Sequence, residues 1–85
     1  MWVRLHASFG DGRTWDEIDL PSPASVPELL AILKQRYLRL EALIKPTPEE
    51  TFHRFLLIRD DHVLSDRDHI APDDRIVIML PLTGG

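Results

Sequence analysis

Cysteine is absent from the 85 residues of this chain. Without thiols the protein has neither a disulfide framework nor a thiolate metal site, and any nucleophile must be another group. The sequence also has no basic segment followed by an apolar run, as in a secretion signal, and no apolar stretch as long as a membrane-spanning helix. These absences predict a cytoplasmic protein with no membrane partner.

An excess of positive charge is absent as well. Ten Lys and Arg residues against fourteen Asp and Glu residues give a formal net charge of −4, which is the wrong sign for a phosphate-binding surface. We therefore expect no nucleic-acid partner. A chain this short supports a single hydrophobic core, and we expect one folded domain.

The motifs of enzyme active sites are also missing. The sequence contains no glycine-rich phosphate loop, no His-Glu-x-x-His pattern and no Ser-His-Asp spacing, so we expect no active site within the chain and no bound cofactor. The spacing of its histidines matches no metal-ligand pattern, and we expect them to be structural or surface residues. The histidines are His6, His53, His62 and His69.

Hydrophobic patterning indicates strands at both ends of the chain. Apolar and polar residues alternate over residues 2–9, with the odd-numbered residues on the apolar face, which is typical of a half-buried strand. A second strand is predicted over 14–20, with Ile18 and Leu20 facing the core, after a Gly-Asp-Gly-Arg loop. The nearly continuous apolar run at 75–80 predicts an interior strand.

Two segments carry helix-start patterns. Ser25-Val26-Pro27-Glu28 combines a capping serine, a proline suited to the first turn and a glutamate that completes a capping box. Apolar residues at helical spacing continue from there to Ile44, which predicts an amphipathic helix of about five turns. Thr47-Pro48-Glu49-Glu50 repeats the pattern and predicts at most a turn or two of helix.

Shorter features lie between the helix and the last strand. The apolar run at 55–58 predicts a buried strand, and Asp60-Asp61 predicts a turn. Val63-Leu64 is expected to add a short edge strand, Ile70 to fill the core, and Asp73-Asp74 to turn the chain into its last strand.

This order of elements predicts an α+β fold of the β-grasp (ubiquitin-like) type. Its expected parts are an N-terminal hairpin, one long helix across a mixed sheet of four or five strands, and a last strand parallel to the first. Residues 1–81 would form this domain and residues 82–85 a flexible tail. Other α+β arrangements of the same elements remain open.

The ending Leu80-Pro81-Leu82-Thr83-Gly84-Gly85 has three interpretations. It contains the Leu-Pro-x-Thr-Gly sorting motif of sortases, but that motif works only with a signal peptide before it and a membrane span after it, and neither is in the sequence. It is otherwise a frayed end or a functional tail. Its position after a predicted central strand favours the functional tail. Residues without Cβ make a narrow thread that would carry the Gly85 carboxylate into a confined nucleotide site.

Several features resemble the MoaD/ThiS family of ubiquitin-like sulfur carriers. They are the alternating first strand, the helix start Ser25-Val26-x-Glu28-Leu29-Leu30, the approach Asp73-Asp74-Arg75-Ile76 to the last strand, and the diglycine ending. The resemblance covers nearly the whole chain and looks closest to molybdopterin synthase small subunits. The chain departs from the family at two turns: it has Arg59-Asp60-Asp61-His62 where relatives usually have Asn-Gly, and Pro72-Asp73-Asp74 where they usually have Gly-Asp.

The resemblance implies a sulfur-carrying co-substrate that is not itself an enzyme. An adenylyltransferase related to ubiquitin-activating enzyme would use ATP to adenylate Gly85, which would become a thiocarboxylate and donate sulfur to a synthase subunit, as in molybdopterin biosynthesis. Gly84 would give access, and Pro81, Leu82 and Thr83 would guide the tail. Two alternatives remain: a protein modifier joined to lysine through Gly85, and a plain β-grasp binding module.

Docking residues are predicted by their nearness to the tail. These candidates are Phe9, Met79 and Leu80, with Leu82 as a further one. Trp2 and Trp15 fall on the predicted outer face of the N-terminal hairpin. They either cover that face locally or contribute to a docking surface.

Overall fold

The computed structural model describes residues 1–9 and 14–81, in which seven strands form two sheets beside three helices. The strands are β1 (Trp2–Leu5), β2 (Asp16–Glu17), β3 (Ala24–Ser25), β4 (Leu56–Arg59), β5 (His62–Val63), β6 (His69–Ile70) and β7 (Arg75–Met79). The helices are α1 (Val26–Arg36), α2 (Leu38–Glu41) and α3 (Pro48–Phe52), and a 3-10 turn at Ala7–Phe9 follows β1.

Strand β7 lies at the centre of a five-stranded sheet with the order β2-β1-β7-β4-β5. It runs parallel to β1 and antiparallel to β4, so its backbone is paired on both sides. Strands β3 and β6 form a separate two-stranded sheet. The mixed sheet and the parallel pairing of the first and last strands are confirmed. The arrangement is consistent with a β-grasp-like fold but not specific to it.

The hydrophobic core lies between the sheet and α1. Alternate residues of the central strands and one face of the helix are buried together, as the two periodicities require. Ile18, Leu20 and Ile70 are buried as predicted. The sheet and helix residues of this core are Val3, Leu57, Ile76, Ile78, Val26, Leu29, Leu30 and Leu33.

Helix α1 begins as predicted but ends early. Ser25 Oγ accepts from the Glu28 N–H at 3.3 Å, and Glu28 Oε1 accepts from the Ser25 N–H at 3.3 Å, so the capping box is formed. The helix has 11 residues, and Tyr37 is extended, with φ −121° and ψ 110°. The predicted five-turn helix is therefore wrong in length. Apolar spacing did not reveal the break because Leu40, in α2 beyond it, is also fully buried.

The N-terminal strands are shorter than predicted. Strand β1 ends at Leu5, because the chain then turns into the 3-10 segment and leaves Ala7 exposed. Strand β2 has two residues instead of the predicted seven over 14–20. Ile18 reaches the core from outside any strand. The loop at 10–13 lies outside the described residues.

Two of the shorter features follow the sequence closely. The predicted second helix is α3, whose N-cap Thr47 accepts from the Glu50 N–H through its hydroxyl at 3.2 Å. Asp60 and Asp61 have φ angles of 52° and 65° and join β4 to β5, the pattern of a two-residue type I′ hairpin turn. The predicted edge strand begins one residue earlier, at His62.

Candidate functional site

The end of strand β7 is where the chain leaves the sheet. Its neighbours pair with it up to this point, Leu5 of β1 with Ile78 and Leu56 of β4 with Met79. The next residues, Leu80 and Pro81, are half-buried. Proline has no amide hydrogen to extend the pairing. The central strand therefore leads directly from the core to this end of the sheet.

A hydrogen bond holds the backbone at this exit. The Leu80 N–H donates to Ser8 Oγ at 3.0 Å, and the Ser8 N–H donates to His6 Nδ1 at 3.0 Å. Sequence reasoning missed Ser8, because the alternating pattern placed it on the outward face of a strand that was expected to continue through Phe9. The 3-10 turn that directs its hydroxyl to Leu80 has no signal in the hydrophobic pattern.

The predicted tail residues Leu82, Thr83, Gly84 and Gly85 lie outside the described residues. The docking candidates within the described part fall on different surfaces. Phe9 is half-buried and packs against the core. Met79 is half-buried on the side of the sheet opposite α1, and Leu80 follows it at the exit.

A band of apolar side chains lies on the side of the sheet opposite α1, which we call the outer sheet face. Register places Ile58 of β4 beside Val77 of β7 and Val63 of β5, and Leu56 beside Met79. All but Val63 are half-buried, and Val63 is 56% exposed. This band ends where Leu80 leaves the sheet, at the end of β7.

Two arginines and two tryptophans lie along the β1 side of the outer sheet face. The Arg4 guanidinium carbon is 5.0 Å from the centroid of the Trp15 ring, and that of Arg75 is 5.9 Å from it. These distances are those of cation–π contacts, which hold the guanidinium groups in place. Trp2 is 37% exposed beside them. Two guanidinium groups therefore adjoin the apolar band, and the exposed Glu17 of β2 lies opposite Trp2 on the same face.

The start of β7 is fixed by an ion pair and hydrogen bonds. Arg59 Nη1 donates to Asp74 Oδ2 at 2.8 Å and to the His69 carbonyl at 2.6 Å. The same Asp74 oxygen accepts from the Ala71 N–H at 2.8 Å, and the Asp74 carbonyl accepts from the Trp2 N–H at 2.9 Å. These contacts attach the beginning of β7 to β1 and β4, so the central strand is held at both of its ends.

Within 1–9 and 14–81, no three His, Asp or Glu side chains are grouped so as to hold a metal ion. The helices in this part of the chain lack the length and hydrophobicity that spanning a bilayer requires. An open cleft of about 520 Å³ lies between α3 and the segment after β5. It is lined by Glu49, Phe52, His53, Leu64, Ser65 and Asp66.

The sequence matches no protein-family model, and a search of curated proteins gives no significant match.

Proposed function

We propose that the chain is a β-grasp sulfur carrier whose Gly85 carboxylate is adenylated and then converted to a thiocarboxylate. The observation that carries the proposal is the position of β7. This strand is paired on both sides at the centre of the sheet and leads through Leu80 and Pro81 to the sequence Leu-Thr-Gly-Gly. Because this strand is held in the sheet on both sides, a partner that binds the sheet also positions the residues that follow Pro81.

The chemistry requires two displacement steps, the first at the α-phosphorus of ATP and the second at the carbonyl carbon of Gly85. A carboxylate oxygen of Gly85 attacks the α-phosphorus of ATP and pyrophosphate leaves, which gives an acyl-adenylate. Hydrosulfide then attacks the carbonyl carbon, AMP leaves, and a proton is released as the thiocarboxylate forms. The chain has no cysteine, so the sulfur comes from outside it. Gly84 and Gly85 carry no Cβ and fit a narrow nucleotide site.

The outer sheet face is the proposed docking surface for the adenylyltransferase and for the synthase subunit that takes the sulfur. Ile58, Val77 and Met79 offer half-buried apolar contacts along the outer sheet face, and Met79 lies at the end of β7 where the tail departs. Arg4 and Arg75 add positive charge beside them. The matching partner surface has an apolar centre with carboxylates placed against the two guanidinium groups, since complementary charges set orientation and association rate. Molybdopterin biosynthesis is the pathway we propose, on the resemblance of the sequence.

Adenylation is tested by ATP–pyrophosphate exchange with an adenylyltransferase related to ubiquitin-activating enzyme. We expect exchange that depends on this chain and saturates with its concentration. The matched control carries one additional residue after Gly85, which moves the carboxylate out of reach while leaving residues 1–81 unchanged. Equal exchange with both chains, or none with either when the enzyme is active on its own carrier, would refute the proposal.

The acceptor of the activated carbonyl is tested separately. With sulfide present, the intact mass should rise by the difference between sulfur and oxygen. Conjugates joined to lysine by isopeptide bonds, with no sulfur uptake, would identify a protein modifier instead. Full function after deletion of Gly84 and Gly85 would identify a binding module with an incidental tail.

A further inference from the structure

The pairing of β1 with β7 departs from the regular parallel pattern at its last position. His6 donates its N–H to the Ile78 carbonyl at 2.8 Å, just beyond the end of β1. In a regular parallel ladder the His6 carbonyl would next accept from the N–H of Leu80, two residues further along. That carbonyl instead accepts from the Phe9 N–H at 2.9 Å and closes the 3-10 turn. The Leu80 N–H therefore needs another acceptor.

The hydroxyl of Ser8 takes the place of the missing carbonyl, at 3.0 Å from the Leu80 nitrogen. Its own position is fixed from both sides. The Ser8 N–H donates to His6 Nδ1 at 3.0 Å, and Arg39 Nη1 donates to the Phe9 carbonyl at 3.0 Å. Phe9 also packs against the core. The 3-10 turn is thus attached to the sheet, to α2 and to the core.

A side-chain acceptor differs from a backbone acceptor in one respect. A serine hydroxyl can leave its partner by rotating about one bond between staggered positions, whereas a backbone carbonyl can do so only if the strand moves. The Leu80 N–H can therefore be held or released without any change in the pairing of β1 with β7. The Leu80 N–H is the last backbone donor before Pro81, which has no amide hydrogen to donate.

We infer that Ser8 is a positioning residue for the tail: its hydroxyl sets the direction in which the chain leaves the sheet at Leu80 and so presents the tail to the adenylating partner. The second half of this inference rests on the proposed function. Ser8 acts through Leu80 and takes no part in the chemistry at Gly85.

The hydrogen bond is tested by amide hydrogen exchange, independently of any partner. In Ser8→Ala the Leu80 amide should exchange about five-fold faster, because a typical intramolecular hydrogen bond is lost. Ser8→Thr keeps a hydroxyl and should exchange like the wild type. The Trp2 amide, bonded to Asp74 at the other end of β7, is the internal control, and Ser22→Ala, at an exposed serine, is the matched variant. An unchanged Leu80 rate in Ser8→Ala would overturn the inference.

The positioning role is tested by the kinetics of ATP–pyrophosphate exchange with the chain as variable substrate. Ser8→Ala should raise KM about five-fold with kcat nearly unchanged. Without the hydrogen bond, the chain leaves Leu80 in the productive direction less often, by about the five-fold factor that the loss of one hydrogen bond gives. Ser8→Thr should restore the wild-type KM. Faster Leu80 exchange with an unchanged KM would overturn the positioning role and leave the proposed function intact. No exchange with the wild-type chain would overturn the proposed function and with it this role, while the amide rates would still decide the hydrogen bond.

Discussion

The Tyr37 hydroxyl donates a 2.7 Å hydrogen bond to Asp16 Oδ2 and so joins the end of α1 to the edge strand β2. Tyr37 is also the extended residue at which the helix breaks before α2. Its N–H still bonds to the Leu33 carbonyl, at 2.9 Å, so the break lies immediately after the last helical bond. The contact connects the helix to the N-terminal edge of the sheet.

Tyr37 should ionise well above the ordinary pKa of tyrosine. Partial burial is the largest cause of the raised pKa, and the hydrogen bond to Asp16 and its charge add to it. Tyr37 is the only tyrosine, so ultraviolet titration of phenolate reports on it alone. We expect a midpoint above that of the urea-unfolded chain, which should titrate near the usual value of about 10. Coincident midpoints would contradict the contact.

The same shift gives stability a pH dependence at the alkaline end. A group whose pKa is raised in the folded state contributes stability. That contribution is fully present below the unfolded-state pKa and is lost as the pH rises through the folded-state pKa. Urea unfolding should therefore show the Tyr37 contribution to be constant near neutral pH and to decline above about pH 10. Asp16→Asn should reduce this decline without abolishing it, because burial remains. Tyr37→Phe should remove it.

Asp74 should contribute more to stability than its neighbour. Its side chain accepts from Arg59 and from the Ala71 N–H, and both bonds are lost in Asp74→Ala. We expect the free energy of unfolding to fall by about 2 kcal/mol, as for hydrogen bonds that involve a charged group. Asp73→Ala, at an exposed position, is the control and should change it by less than about 0.5 kcal/mol. Equal effects in urea denaturation would contradict this assignment.

The turn between β4 and β5 should favour glycine. Asp61 has φ 65°, a conformation that costs residues with a Cβ about 1–2 kcal/mol and glycine nothing. Asp61→Gly should therefore be more stable than Asp61→Ala by about 1 kcal/mol, measured by urea denaturation. Aspartate tolerates this conformation better than alanine does, so the wild type should lie nearer to the glycine variant. A more stable alanine variant would refute the positive φ.

The outer sheet face should matter for partner binding and an equally apolar residue elsewhere should not. Met79→Glu places a charge in the proposed apolar contact. It should raise the KM of the chain in ATP–pyrophosphate exchange about ten-fold, which is the size of effect that changing a central interface residue has on binding. Leu38→Glu is the matched control, because Leu38 is 83% exposed on α2. Circular dichroism should show both variants folded. A larger effect from Leu38→Glu would move the docking surface to the helical side.

Sequence patterns predicted the elements that depend on burial or capping. The apolar run of β7, the capping box at Ser25 and the core position of Ile70 all follow from local periodicity or hydrogen-bonding chemistry. The break at Tyr37 was not predictable in this way, because Leu33 and Leu40 are buried whether one helix or two carries them. The role of the Ser8 hydroxyl depends on the end of β1 at Leu5, which alternation did not indicate.

The predictions for Leu82, Thr83, Gly84 and Gly85 lie outside the described residues and stay predictions. What bears on them is the base of the tail at Leu80 and Pro81, with the Ser8 contact beside it. Sequence alone predicted a narrow tail ending in two glycines, and the sheet adds the fixed point at Leu80 from which that tail begins.

The most direct test of the proposed function is the mass of the C-terminal tryptic peptide, residues 76–85, which trypsin releases by cleaving after Arg75. The chain is incubated with ATP, sulfide and an adenylyltransferase related to ubiquitin-activating enzyme before digestion. We predict that sulfur replaces one oxygen in this peptide and that fragmentation places the sulfur at Gly85. A peptide that keeps both carboxylate oxygens, under conditions in which the enzyme activates its own carrier, would contradict the account.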